Sequence, residues 1–182
     1  MVMRIKIFWD PQAPVGLQRP AVRGLSSLLA MPVEMAEHRF FLNGFDPSRN
    51  QYDAQKILSR IQLYKRQQGI TEPVLLVVSQ DLCLPRQDFV FGLARESVGA
   101  AVVSIARLEN RFYGREDDHA DLVGRLVREG AHEIGHLFGL EHCASRECVM
   151  HHPATLGELD RKKAFCSACR ARLTSAEGID RI

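Results

Sequence analysis

Between residues 132 and 142 the chain reads His-Glu-Ile-Gly-His-Leu-Phe-Gly-Leu-Glu-His. His132 and His136 are four residues apart, so on a helix their imidazoles project from nearly one line, as two nitrogens sharing an ion must. Glu133 lies beside them but is turned about the helix axis, where a carboxylate reaches a water on the ion and not the ion itself. Gly139 can take the left-handed conformation that ends a helix and swings the chain back. His142, three residues on, is then the third nitrogen. Three neutral imidazoles leave zinc one open position for a water, whose pKa falls to about 7. That is hydrolytic chemistry, with Glu133 as general base. By chance the full string would occur about five times in a hundred thousand chains of this composition, so the spacing carries the inference. A metal site without turnover, and histidines without metal, are the plainer alternatives, because ligands alone do not make a catalyst.

Four cysteines follow, paired as Cys143-x4-Cys148 and Cys166-x2-Cys169. Tetrahedral zinc takes four thiolates, and short spacings let one loop offer two of them. Two local disulfides or an iron–sulfur cluster would use the same residues. Structural zinc is preferred, because thiols stay reduced in the expected cytoplasmic setting and a C-x2-C bridge is strained. The expected cofactors are therefore two zinc ions per chain, one catalytic and one structural. A four-thiolate site would tie the tail to the segment beyond Cys143, where few apolar residues offer another tie. Cys83 is left over and reads as a partly buried free thiol.

The elements that must position these residues are legible in outline. Residues 117–139 open with acidic residues, which suit a helix N-terminus, and Val123, Val127, Ala131, Ile134 and Leu137 form an apolar stripe away from the histidines. Residues 52–68 carry Ala54, Ile57, Leu58, Ile61 and Tyr64 at helical spacing, with Gly69 as cap. A shorter helix is expected over 21–30. Strands are expected at 5–9, 33–41, 74–78, 89–91 and 100–105, the run Val74–Val78 as a strand buried on both faces. Strands alternating with helices make an α/β sheet with helices packed on it.

The 182 residues suit one catalytic domain, read as 1–142, with the sheet and active-site helix, and a small C-terminal subdomain, 143–182. Lys plus Arg total 24 against 22 for Asp plus Glu, a balance that argues against a broad nucleic-acid footprint. No apolar run approaches the ~18 residues a membrane span needs, and the N-terminus reads as a strand and not a secretory signal.

The assembled string His132-Glu133-x-x-His136-x-x-Gly139-x-x-His142-Cys143-x4-Cys148-x-Met150, with Cys166-x-x-Cys169, resembles the archaemetzincins, zinc metalloproteases of the metzincin clan. Segments at 51–58, 89–94 and 103–108 look like family segments too, so the resemblance runs from about residue 50 to about 170. It implies an α/β metzincin-like fold: a twisted mixed sheet, a backing helix, the active-site helix and a small C-terminal subdomain. It also implies a catalytic zinc on the three histidines, a structural zinc on the four cysteines, and Met150 as an apolar floor under the metal. The implied partner is a peptide or protein substrate, laid along a sheet edge for which the strand including Val102 to Ile105 is the candidate. No nucleic acid, no membrane and a monomer are expected. His152, two residues after Met150, is a candidate to approach the metal. The N-terminal quarter is a candidate cover for it.

Two rivals are carried. One is a catalytically silent zinc-binding module whose Arg161, Lys162, Lys163, Arg170 and Arg172 contact nucleic acid or a protein. The other is a zinc hydrolase acting on small amides.

Overall fold

Val74–Val78 is apolar and buried at every position, the mark of a strand covered on both faces. It is the middle strand of the sheet at the centre of the computed structural model, which describes residues 3–179. In chain order the elements begin with β1 (Ile5–Trp9), α1 (Gln18–Leu29), β2 (Val33–Met35), β3 (Phe45–Asp46), β4 (Gln51–Asp53) and α2 (Ala54–Gln68). There follow β5 (Val74–Val78), β6 (Leu82–Leu84), β7 (Gln87–Val90), β8 (Gly92–Arg95) and β9 (Ala100–Ser104). The chain ends in helices: α3 (His119–Leu137), α4 (Leu156–Arg161) and α5 (Ser167–Ile179).

The main sheet has the order β2-β1-β5-β9-β8, parallel throughout except for β8, which runs antiparallel to β9. Side chains alternate across it. Leu75, Val77, Ala101 and Val103 face Leu25 of α1 and Leu126, Ala131 and Ile134 of α3. Val74, Leu76, Ala100 and Val102 face Ile57, Leu58 and Ile61 of α2. The sheet is thus enclosed between two helical layers, the α/β arrangement expected, and α2 is the backing helix.

Two strand expectations change. Val102 to Ile105 is not an edge: β9 pairs with β5 on one side and β8 on the other. Its five residues are all buried, which only an interior strand allows, whereas β8 is half-buried at all four positions and is the edge. The strand expected over 33–41 ends at Met35, which pairs with Ile7; β1 runs on to Trp9 without it. The residues around Phe89 belong to a second, smaller sheet of order β3-β4-β6-β7, which the sequence pattern did not suggest.

Helix caps fix the two long helices. Asp53 accepts hydrogen bonds from the Gln55 and Lys56 amides at the start of α2, and Gly69 closes it at φ 64°. Asp118 accepts from the Asp121 amide to start α3. Beyond Met150 the chain is less dependent on its cysteines than expected: Leu156, Leu159, Phe165 and Leu173 are buried in the same core as α1 and α3. Arg125 of α3, 3 % exposed, forks onto the Asp160 carboxylate of α4 at 2.7 and 3.0 Å. Among the described residues, no helix is long and apolar enough to cross a membrane.

Candidate metal centre

The carboxyl-terminal half of α3 carries the site. The Nε2 atoms of His132 and His136 stand 3.1 Å apart, and one nitrogen each of His132, His136 and His142 lies within 4.8 Å of the other two. The opposite nitrogens of His132 and His136 are taken. Nδ1–H of His132 donates to the Val149 carbonyl at 2.8 Å, and Nδ1–H of His136 donates to the Leu140 carbonyl at 2.7 Å. Carbonyl acceptors of this kind fix the tautomer and turn the Nε2 lone pairs toward a common point. Leu140 is in place because Gly139, at φ 74°, reverses the chain and the Leu140 amide donates back to the Gly135 carbonyl at 3.1 Å. The turn therefore delivers His142 and orients His136 together.

Burial lowers the pKa of all three imidazoles. For His132, 2 % exposed, burial and then the Lys162 ammonium take it to about 2. His136 and His142 are lowered in the same direction, burial again being the largest cause. Neutral, pre-oriented imidazoles are the form that binds metal, and three of them converging on one point suit zinc.

Glu133 is 5 % exposed and packs under the edge strand: a Cβ built on Gly92 would fall 2.7 Å from its Cγ and its Oε1. Burial, followed by the nearby Glu129 carboxylate, raises the Glu133 pKa well above the ordinary range. Met150 is fully buried beneath the site, and a Cβ on Gly135 would fall 2.5 Å from its Sδ. The two glycines are thus close-approach positions, one for the carboxylate and one for the methionine. Nothing in the spacing marked Gly92; Gly135 lies inside the motif without a role that spacing could assign.

Sulfur atoms of Cys143, Cys148, Cys166 and Cys169 lie within 4.8 Å of one another, and all are free thiols. The Cys166 amide donates to Cys148 Sγ at 3.3 Å. A hydrogen bond from the Cys169 backbone is the main cause that lowers the Cys166 pKa to about 7, whereas burial raises that of Cys148. The nearness of Cys143 to Cys166, 3.9 Å between sulfurs, crosses the two sequence pairs, as one tetrahedral centre requires and two local bridges do not. Cys83 is apart from this cluster, as expected, and at 3 % exposed is more deeply buried than the partly buried thiol expected.

The histidines and Glu133 open onto a cleft of about 1240 Å³ whose lining includes Gly92, Leu93 and Ala94 of β8 and His152 and Pro153. All its lining residues lie at or beyond Leu84, so the N-terminal quarter, as far as described, does not cover it. His152 lies with its ring centroid 4.7 Å from that of His142, beside a ligand, but it is not one of the converging set. His151 turns away, its Nδ1 3.0 Å from the Cys143 carbonyl. The cationic surface of the rival reading is incomplete: Lys162 has no exposed side chain, and Arg170 is spent on the Leu28 and Leu29 carbonyls. Glu129 and Lys162 are the residues beside the histidine cluster whose place there sequence reasoning missed. Glu129 sits three before His132 on the same helix face, a signal that was available; Lys162 had none.

The chain is similar to known peptidases. Residues 30–175 match peptidase family M54. An archaemetzincin of Pyrococcus furiosus is 33 % identical over 156 residues, which cover 85 % of this chain and 78 % of that protein. The crystal structure of a zinc-dependent peptidase from Methanocorpusculum labreanum is similar at a TM-score of 0.89 and 46 % identity, over 93 % of this chain and 99 % of that one. That of an archaemetzincin from Methanopyrus kandleri is similar at 0.81 and 32 % identity, over 96 % and 95 %.

Proposed function

The chain belongs to peptidase family M54, the archaemetzincins, which makes it a zinc metallopeptidase, and from that premise we propose which of its residues do the chemistry. His132, His136 and His142 hold the catalytic zinc, Glu133 is the general base, and the four cysteines hold a second, structural zinc. The observation that carries this is the convergence of three imidazole nitrogens within 4.8 Å, two of them with the opposite ring nitrogen bonded to a backbone carbonyl. Zinc, when bound, supplies a Lewis acid that acidifies a water and polarises the scissile carbonyl.

Glu133 accepts the proton of that water on a carboxylate oxygen and delivers it to the departing amine nitrogen. The absence of a Cβ at Gly92 lets Glu133 pack under β8 at the cleft, and burial there raises its affinity for the proton it takes up. The outer backbone edge of β8, half-buried along the cleft, is available to pair with an extended peptide by strand addition. His152 lines the same cleft and would meet a substrate bound there. The 1–142 and 143–182 division keeps the same sense in this reading: the first part supplies the ligands and the base, the second the floor and the brace.

Assay of a peptide library beside small amide substrates tests the reading. Wild type should cleave peptides, and Glu133→Gln should lose about 10²–10⁴ in rate with its zinc retained. Full peptidase activity in Glu133→Gln would remove the base assignment. Cleavage of small amides alone would make the chain an amidase.

A further inference from the structure

One buried charge pair near the metal has no part in the chemistry above. Lys162, just beyond α4, is entirely buried, and its Nζ lies 3.7 Å from Glu129 Oε2 and 3.4 Å from His132 Nδ1. Glu129 is 3 % exposed, and its Oε2 has no hydrogen-bond partner. Such a pair is a poor device for stability. Desolvating both charges offsets most of their attraction, and apolar side chains of similar volume often serve as well or better. Its location suits another purpose. Glu129 is one helical turn before His132 on α3, and Lys162 comes from the C-terminal segment to the ring nitrogen that faces away from the other two histidines. The Val149 carbonyl meets that same nitrogen. Helix, methionine turn and C-terminal segment thus converge on one imidazole.

We propose that Glu129 and Lys162 are a positioning pair for the catalytic metal: the Lys162 ammonium, balanced by Glu129, packs behind Nδ1 of His132, offers that N–H no acceptor and so leaves it on the Val149 carbonyl, with Nε2 turned to the ion. The inference rests on the metal-site reading above. Lys162 itself has no surface in the cleft, and Glu129 only borders its floor, so neither is a catalytic residue. Partners of this outer kind commonly contribute 10–100-fold to metal affinity.

The test is zinc affinity at each site, by competition with a chelator, in wild type, in Lys162→Met and in Glu129→Leu/Lys162→Met. The four-cysteine site of the same molecule is the reference. The double variant leaves no unpaired charge, so it should keep the wild-type far-UV spectrum and the wild-type affinity of the cysteine site. Its histidine site should bind zinc about 10–100-fold more weakly. Lys162→Met, which strands Glu129, should weaken the histidine site at least as much. Unchanged affinity at the histidine site of the double variant would overturn the proposal. So would equal weakening at both sites with an altered spectrum, since the pair would then be a general support of the fold. A wild-type chain that takes no zinc on its histidines fails the metal-site reading itself, and is distinguished from the other results by that alone.

Discussion

Gly92 and Glu133 make the sharpest test at the scale of single residues. A methyl group at position 92 would overlap the Glu133 side chain at 2.7 Å, so Gly92→Ala should displace the carboxylate without touching a ligand. The expected outcome is a fall in kcat of about tenfold or more, with zinc content unchanged, because small misplacements of catalytic groups cost rate steeply. Rate and metal content measured on one preparation would check it. His132 gives a pH prediction. Its pKa falls from 6.5 in the unfolded chain to about 2 in the fold, so between those values only the unfolded state takes up the proton. With the histidine site stripped of metal, stability should therefore drop as pH falls below 6.5, by up to about 1.4 kcal/mol per pH unit. Denaturant titrations of wild type and His132→Asn should show the slope in the first and a flatter one in the second. At this scale the sequence was most informative, since His132, Glu133, His136 and His142 sit within eleven residues. Lys162 was illegible, because only the fold brings it thirty residues back to His132.

Elements explain why those residues meet. Active-site helix α3 ends at a glycine whose φ of 74° few side chains tolerate, and the turn beyond it bonds His136 and supplies His142. Gly139→Ala should therefore destabilise the protein by about 1 kcal/mol and weaken zinc binding with it, as thermal shift with and without added zinc would show. Gly135→Ala attacks the floor instead. Its methyl would stand 2.5 Å from Met150 Sδ, and overpacking of this sort costs about 1–3 kcal/mol. Periodicity revealed α2 and α3 through their long apolar stripes, and short apolar runs marked β1 and β5. The edge taken from the family resemblance was misassigned because Ala100 to Val103 and Gly92 to Ala94 are both short apolar runs, and only pairing with β5 puts the first inside the sheet. The second small sheet was invisible for a related reason. Its strands have two to four residues, too short for any period to register.

At the scale of the molecule, the metal centre joins parts that are distant in sequence. The cysteine cluster begins at Cys143, the residue after His142, and closes with Cys166 and Cys169 at the start of α5. Cys148→Ser should release the structural zinc and loosen the turn from Cys143 to Met150, whose Cys143 amide donates to the Met150 carbonyl at 2.9 Å. Zinc content should fall from two per chain to one or fewer, and the unfolding midpoint should fall too, less steeply than if thiolates were the sole tie, since Phe165 and Leu173 remain in the core. Zinc-edge anomalous diffraction from crystals of the wild-type protein bears most directly on the whole account. A peak among His132, His136 and His142, with no fourth side chain on the ion, and a second peak among the four cysteines are the predicted result. A histidine site without a peak, or one closed by Glu133 or His152, would contradict it.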